Sequence, residues 1–196
     1  NELPIWDLTE IYKDIKDPKI KEDLRNIRKI SKEFLTSWKD KIKNLNSNEL
    51  MDCIEQYQNI NEKIYKIGTH SNLIFATNME DPEISRYNST ISDEVTDIFS
   101  SLIFVSLELS KISDDVFNKW MLSEKAKEWM PYLKILRKRN PFILDPLVEE
   151  ILIEKSATGR SAWVRLFDET SASLRFPFKK EMVSEAEILN YLSDPD

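Results

Sequence analysis

Apolar residues recur at helical spacing along the first half of the chain. From Pro18 onward, Ile20, Leu24, Ile27, Phe34, Trp38, Ile42 and Leu45 form one stripe, as expected of an amphipathic helix with one buried face. Asp17-Pro18 supplies its start, with a side-chain acceptor at the cap and proline at the first helical position. Asn44, Asn46 and Ser47 mark its break, and a second helix begins at Ser47 with Leu50, Ile54, Tyr57, Ile60, Ile64, Ile67 and Ile74 on its stripe. Asp81-Pro82 repeats the start signal for a third, carrying Ile84, Tyr87, Ile91, Val95, Ile98, Leu102, Val105 and Leu109. The later half of that helix, IFSSLIFVSLELS, is apolar on most sides and is expected to be the most buried. Long helices with short connections predict an antiparallel array.

Shorter elements follow. Ser113-Asp114-Asp115 caps a brief helix through Met121, and Ser123 another reaching about Arg139, which Pro131 is expected to kink or divide. Asn140-Pro141 breaks the chain. Asp145-Pro146 caps a helix through Lys155, and Thr158-Gly159 separates it from a helix containing Trp163, Leu166 and Phe167. Alternation over Ser173–Phe178, with Leu174, Phe176 and Phe178 on one side, predicts a strand, with a short partner at Met182-Val183. Ser184-Glu185-Ala186-Glu187 is a capping box that opens a last short helix. The segment before Tyr12 has too little periodicity for a helix, so Trp6 and Tyr12 are expected to pin it to the body. The fold class is therefore mainly α: an array of long antiparallel helices with a small β-hairpin near the C-terminus.

Composition narrows the chemistry. Only 2 glycines occur in 196 residues, which excludes Gly-rich phosphate loops and argues against a sheet-rich fold with many tight turns. The formal net charge of −7 works against nucleic acid and anionic membranes as partners. The basic run Arg137-Lys138-Arg139 is read as a solvated helix end rather than a nucleic-acid patch. Ile98–Leu107, the longest weakly charged run, is far too short to span a bilayer. Cys53 is the single cysteine, so an intrachain disulfide and a cysteine zinc cluster are both impossible. It is read as a buried, inert thiol. One cysteine and the lack of a signal-peptide pattern lead us to expect a cytoplasmic protein.

Candidate catalytic groups are few. His70, the single histidine, is offset from the apolar stripe and lacks companion ligands; a structural or solvent-exposed role is favoured over metal binding. The neighbouring acids Asp93-Glu94, Asp114-Asp115, Glu149-Glu150 and Asp168-Glu169 do not face one another on a helix, so they are read as solvated or helix-starting acids rather than acid–base dyads. Ser156 and Ser161 have no supporting base. Trp163 and Phe167 share one helix face with Arg160 and lie close to Arg165; a core anchor for the following strand is favoured over an exposed domain-contact patch. No catalytic, cofactor-binding or metal-ligating residue is assigned.

An ordered set of segments carries a family resemblance: WDLTEIY, IYKIGTHSNLIFATNMEDPE, SSLIFVSLELSKISDD, WMPYLKILRKRNPFIL, EKSATGRSAWVRLFDETSASLRFPF and SEAEILNYLSDPD. Together they resemble the N-terminal region of bacterial oligoendopeptidase F, a zinc metallopeptidase of the thimet-oligopeptidase-like group. That resemblance implies a helical wall around a deep channel, with cytoplasmic cleavage of short peptides and exclusion of folded proteins. It also implies a zinc site in a separate downstream domain. Catalysis there uses an H-E-x-x-H helix, two histidines holding zinc and the glutamate serving as base. One histidine cannot build that site, so no cofactor is expected in this chain and zinc is implied for the parent enzyme. Phe142 stands where similar sequences often have a histidine after the proline.

The chain is thus expected to be a single non-catalytic N-terminal domain over residues 1–196, truncated before the zinc peptidase domain. Asp194-Pro195 would open a further helix, and no initiating Met stands at the front. Its expected partners are that catalytic domain and, in the parent, oligopeptide substrates. A surface for the missing domain should expose apolar atoms of Leu174, Phe176, Phe178, Leu189 or Tyr191. The alternative is a free-standing helical protein-interaction module.

Overall fold

The computed structural model describes residues 7–193; Trp6 and Asp194-Pro195 lie outside the described residues. Helices α1 (Pro18–Trp38), α2 (Ser47–Thr77) and α3 (Pro82–Leu102) form the central array. Each starts where an acceptor side chain meets orphan backbone amides. Asp17 accepts from Lys19 N at 2.9 Å and from Lys13 N at 3.0 Å, and these amides hold its carboxyl below the usual range. Asn46 and Glu49 form a reciprocal capping box on α2, and Asp81 accepts from Glu83 N at 2.8 Å.

Contacts between the helices fix their directions. Trp38 Nε1, at the end of α1, donates to Gln56 near the start of α2 at 3.1 Å, while Tyr12, before α1, meets His70 late in α2. Likewise His70 pairs with Tyr87 and Tyr65 with Phe99, so α2 runs antiparallel to α3 as well. The ion pairs Lys16–Glu83 and Arg28–Glu94 show α1 and α3 side by side in the same direction. Between them lies one core built from Ile20, Ile27, Phe34, Leu50, Ile64, Ile67, Ile91, Ile98 and Leu102, all buried.

The first helix is shorter than its stripe. Asp40 takes φ 64°, a left-handed conformation that aspartate tolerates better than most residues. The Glu108 carboxylate accepts from Asp40 N at 2.7 Å and Ile42 N at 3.2 Å. That clamp ends α1 at Trp38, and Ile42 reaches the core from a 3-10 turn, Ile42–Asn44, rather than from the helix. A second interruption divides the third helix at Ile103, after which α4 (Phe104–Ser110) continues. Ser101 Oγ donates back to Ile98 O at 2.7 Å, a side-chain bond that bends helices. The expected deep burial holds for α4, where Phe104, Val105, Leu107 and Leu109 are all buried.

Helices α5 (Asp114–Trp120), α6 (Glu124–Glu128) and α7 (Met130–Arg139) close one end. Trp120 Nε1 donates to Leu45 O at 2.8 Å, pinning α5 to the loop before α2. Pro131 divides α6 from α7 as expected, whereas Ser123 makes no side-chain capping bond. Arg137 is more than a solvated helix end. It donates to Ile112 O at 3.1 Å, pairs with Asp114 and lies over the Phe117 ring.

Helix α8 (Pro146–Thr158) packs on α3, and α9 (Arg160–Ser173) packs on α8. The chain turns between them at Gly159, where a Cβ would stand 2.8 Å from Lys155 O. α8 runs past Lys155, its expected end, to Thr158. The predicted strand is also displaced: Ser173 ends α9, and Leu174 lies outside the ladder. Strands β1 (Phe176–Phe178) and β2 (Glu181–Val183) form the antiparallel hairpin, with Phe176 opposite Val183 and Phe178 opposite Glu181. Lys179, at φ 55°, makes the turn. Helix α10 (Glu185–Asn190) starts from the Ser184–Glu187 capping box.

Ile67 has no exposed surface at the centre of this array. Ile67→Ala is expected to cost about 2–5 kcal/mol in urea unfolding, the usual range for emptying a core position. A loss below about 1 kcal/mol would place the core elsewhere.

Candidate functional site

The groups that could carry chemistry are occupied by the fold. His70 is fully buried, on the packed face of α2 with Ile67 and Ser71 rather than offset from it. Its Nδ1 lies 2.9 Å from Tyr87 Oη, and the Tyr12 ring meets it edge-on. Its buried Nε2 has no hydrogen-bond partner among the described residues. Burial lowers the imidazole's pKa against the opposing pull of Asp17 and Asp14. Cys53 is buried on the same helix, and burial pushes its thiol up to about 12, which keeps it protonated and unreactive.

The acid pairs are divided among structural tasks. Glu94 binds Arg28; Asp114 binds Arg137. Glu149 accepts from Leu144 N at 2.9 Å, and Glu169 accepts from Ser85 Oγ at 2.5 Å. None of these pairs forms a dyad. The donor set does not fit a catalytic zinc: no cluster of three His, Cys, Asp or Glu stands together among the described residues, and His70 is enclosed by aromatic rings.

What the molecule does present is apolar surface. Helices α8 and α9 contain no buried residue. Leu147, Ile151 and Leu152 are exposed on α8; Leu166 is exposed on α9, where Trp163 and Phe167 expose 71% and 70% of their surface. This overturns the core-anchor reading of Trp163 and Phe167. The i, i+4 spacing is real, but the face it defines points away from the body. Apolar residues surround α8 rather than forming one stripe, a pattern suited to a helix enclosed on several sides. Past α9, Leu174, Leu189 and Tyr191 are also exposed, as expected, while Phe176 and Phe178 are half-buried. Tyr191 and Phe178 stack with ring centroids 4.3 Å apart. Phe142, in the 3-10 turn before α8, is 82% exposed.

Polar tethers join this apolar layer to the array. Ser85–Glu169 ties α3 to α9, and Arg175 pairs with Glu80. Between α3 and α9 lies a polar cavity of about 600 Å³ lined by Asn88, Ser92, Arg160 and Arg165 among others. The layer packs on α3 through α8 and carries its large apolar side chains on the outside, an exposed face of the kind that marks interaction surfaces.

Residues 108–176, which span α5 through α9 and reach the first strand residue, match the family model for oligopeptidase F. No curated protein sequence matches the chain. In fold, the chain is similar to the crystal structure of oligoendopeptidase-F from Enterococcus faecium, with a TM-score of 0.76 at 15% sequence identity. The likeness covers 91% of this chain and 36% of that one, so the chain spans about a third of that structure's length.

His70 gives the fold a measurable pH dependence. Burial depresses its folded pKa below the ordinary value, so below about pH 6.5 the unfolded chain takes up a proton that the folded chain resists. Stability from this group is present above that pH and is lost as the pH falls. Urea midpoints measured between about pH 7.5 and 5 should decline in the wild type and decline less in His70→Gln. Equal slopes in the two proteins would contradict the buried neutral imidazole.

Proposed function

We propose that this chain, an oligoendopeptidase F-like N-terminal domain, is the non-catalytic wall of a zinc metalloendopeptidase that cleaves short peptides in the cytoplasm. The observation that carries the reading is the unpartnered apolar layer formed by α8, α9 and the segment after them. It lies mostly inside the stretch matched to oligopeptidase F, in a chain spanning 36% of the structure it resembles. Trp163 and Phe167 supply aromatic anchors of the kind that dominate interface energetics, and α8 supplies aliphatic surface beside them. The partner that fits is the downstream catalytic domain of the same protein. Docked there, the helical array would form one side of a channel and admit unfolded peptides on size. The zinc, its ligands and the general base would all belong to the partner domain.

The net charge of −7 and the absence of a helix long and apolar enough to cross a membrane among the described residues accord with this role. A free-standing interaction module would use the same face for a separate protein. The natural reading frame separates the two: continuation past Asp196 into an H-E-x-x-H helix supports the peptidase, and a stop codon there supports the module.

Two measurements test the assignment. Residues 1–196 should neither retain stoichiometric zinc after dialysis nor cleave a quenched peptide, whereas the longer protein should do both. In the longer protein, Trp163→Asp with Phe167→Asp should lower kcat/KM by about tenfold or more, since anchor residues typically contribute 2 kcal/mol or above. The same pair should change the urea midpoint of residues 1–196 very little, because both side chains are already exposed there. Unchanged activity in the longer protein would remove this face from the interface.

A further inference from the structure

A second surface feature lies on another side of the array, between α2 and the corner where α6 meets α7. Tyr57, Tyr65, Trp129 and Tyr132 line a slot of about 260 Å³ there, together with Asn61 and Glu62. The local sequence explains its shape. Tyr57, Asn61 and Tyr65 are spaced four apart and share one face of α2. Trp129 stands at the break that Pro131 imposes between α6 and α7, which turns its ring toward Tyr132 at a centroid distance of 6.1 Å. The volume falls just below the roughly 300 Å³ at which drug-sized sites begin, so it suits the head of one side chain rather than a cofactor.

The slot's surface is almost wholly apolar, and Glu62 is the one charged residue among those that line it. Aromatic faces carry the negative pole of the ring quadrupole. Glu62 adds a carboxylate, steadied by Gln58 at 3.3 Å. Burial pushes the Tyr132 phenol up to about 12 and raises Tyr57 as well. Both phenols therefore stay neutral at physiological pH. Asn61 Oδ1 is buried with no donor among the described residues, a loss that an incoming N–H group would repair.

Elsewhere the protein covers such faces with its own cations. Arg137 lies 4.6 Å from the Phe117 centroid, Lys66 lies 5.0 Å from Tyr12, and Lys179 lies 5.2 Å from both Phe178 and Tyr191. No lysine or arginine lines the slot. We propose that the slot receives an organic cation bearing N–H groups: a primary ammonium or guanidinium, such as a peptide's lysine or arginine side chain presents. The four rings hold the charge, Glu62 neutralises it and Asn61 Oδ1 accepts one of its protons. This does not depend on how the α8–α9 layer is covered.

The test is a titration of residues 1–196 followed by NMR at the Trp129 indole, assigned with Trp129→Phe. The probes are N-acetyl-lysine methylamide, its trimethyl-lysine counterpart, the neutral norleucine counterpart and n-butylammonium. Saturable shifts are expected with the lysine derivative, with norleucine about tenfold weaker, as a partly desolvated cation–π contact implies. Trimethyl-lysine should also bind more weakly, because it has no proton for Asn61. Glu62→Gln and Tyr65→Ala, both at solvent-accessible positions, should each weaken the lysine derivative severalfold while leaving the far-UV circular dichroism unchanged. Equal binding of n-butylammonium and the lysine derivative supports recognition of the head group alone; tighter binding of the lysine derivative supports a peptide-borne cation. The proposal is overturned if norleucine or trimethyl-lysine binds as well as lysine, or if the indole shows no saturable shift.

Discussion

The 31-residue helix α2 packs against α1, α3 and α6, and the rest of the domain is arranged around that burial. It contributes ten buried residues from Leu50 to Phe75, including two polar ones that the neighbouring helices satisfy at least in part. His70 meets Tyr87, and Ser71 accepts from Asn88. Apolar burial of this extent is the main favourable contribution to a helical domain of this size. A helix of about 46 Å packed along much of its length also acts as a rigid beam. Both features with functional potential are placed by that beam. The aromatic slot is cut into one face of it, and the α8–α9 layer packs mainly on α3, with Asn72 and Phe75 of α2 lining the cavity beside Ala157 and Arg160.

The contrast between the two halves explains what was legible in the sequence. Three Asp-Pro pairs announced the starts of α1, α3 and α8, because a capping carboxylate and a proline at the first helical position act locally. The stripes of α1, α2 and α3 and both capping boxes likewise needed only neighbouring residues. The errors arose where a distant group intervened. Glu108 ends α1 from 66 residues away or more, and no local pattern announces that clamp. The break of the third helix at Ile103 is unannounced in another way: Ser101 Oγ bonds back to Ile98 O just before it, yet Thr90 makes a bond of the same kind to Arg86 O without interrupting the helix.

The candidate sites were less legible for a different reason. Periodicity tells which residues share a face but not what covers the face. Trp163 and Phe167 were correctly placed together, yet the same spacing serves a core or an interface. His70 was misplaced relative to the stripe because a polar residue does not announce burial; Tyr12 and Tyr87 create its environment from two other elements. The aromatic slot joins Tyr57 and Tyr65 to Trp129 and Tyr132 across a long loop in sequence, so it emerges only once α6 and α7 fold back onto α2.

If the α8–α9 layer is one half of an interface, its stability should be borrowed from the partner, whereas the array around α2 should stand alone. Native-state hydrogen exchange reads both at once. In residues 1–196, amides in the middle of α2 should exchange only through global unfolding, while those of α8 and α9 open at far lower free energy. In the longer protein the α8 and α9 amides should slow by orders of magnitude while α2 keeps its ranking. Protection of α8 and α9 equal to that of α2 in residues 1–196, unchanged in the longer protein, would contradict the account.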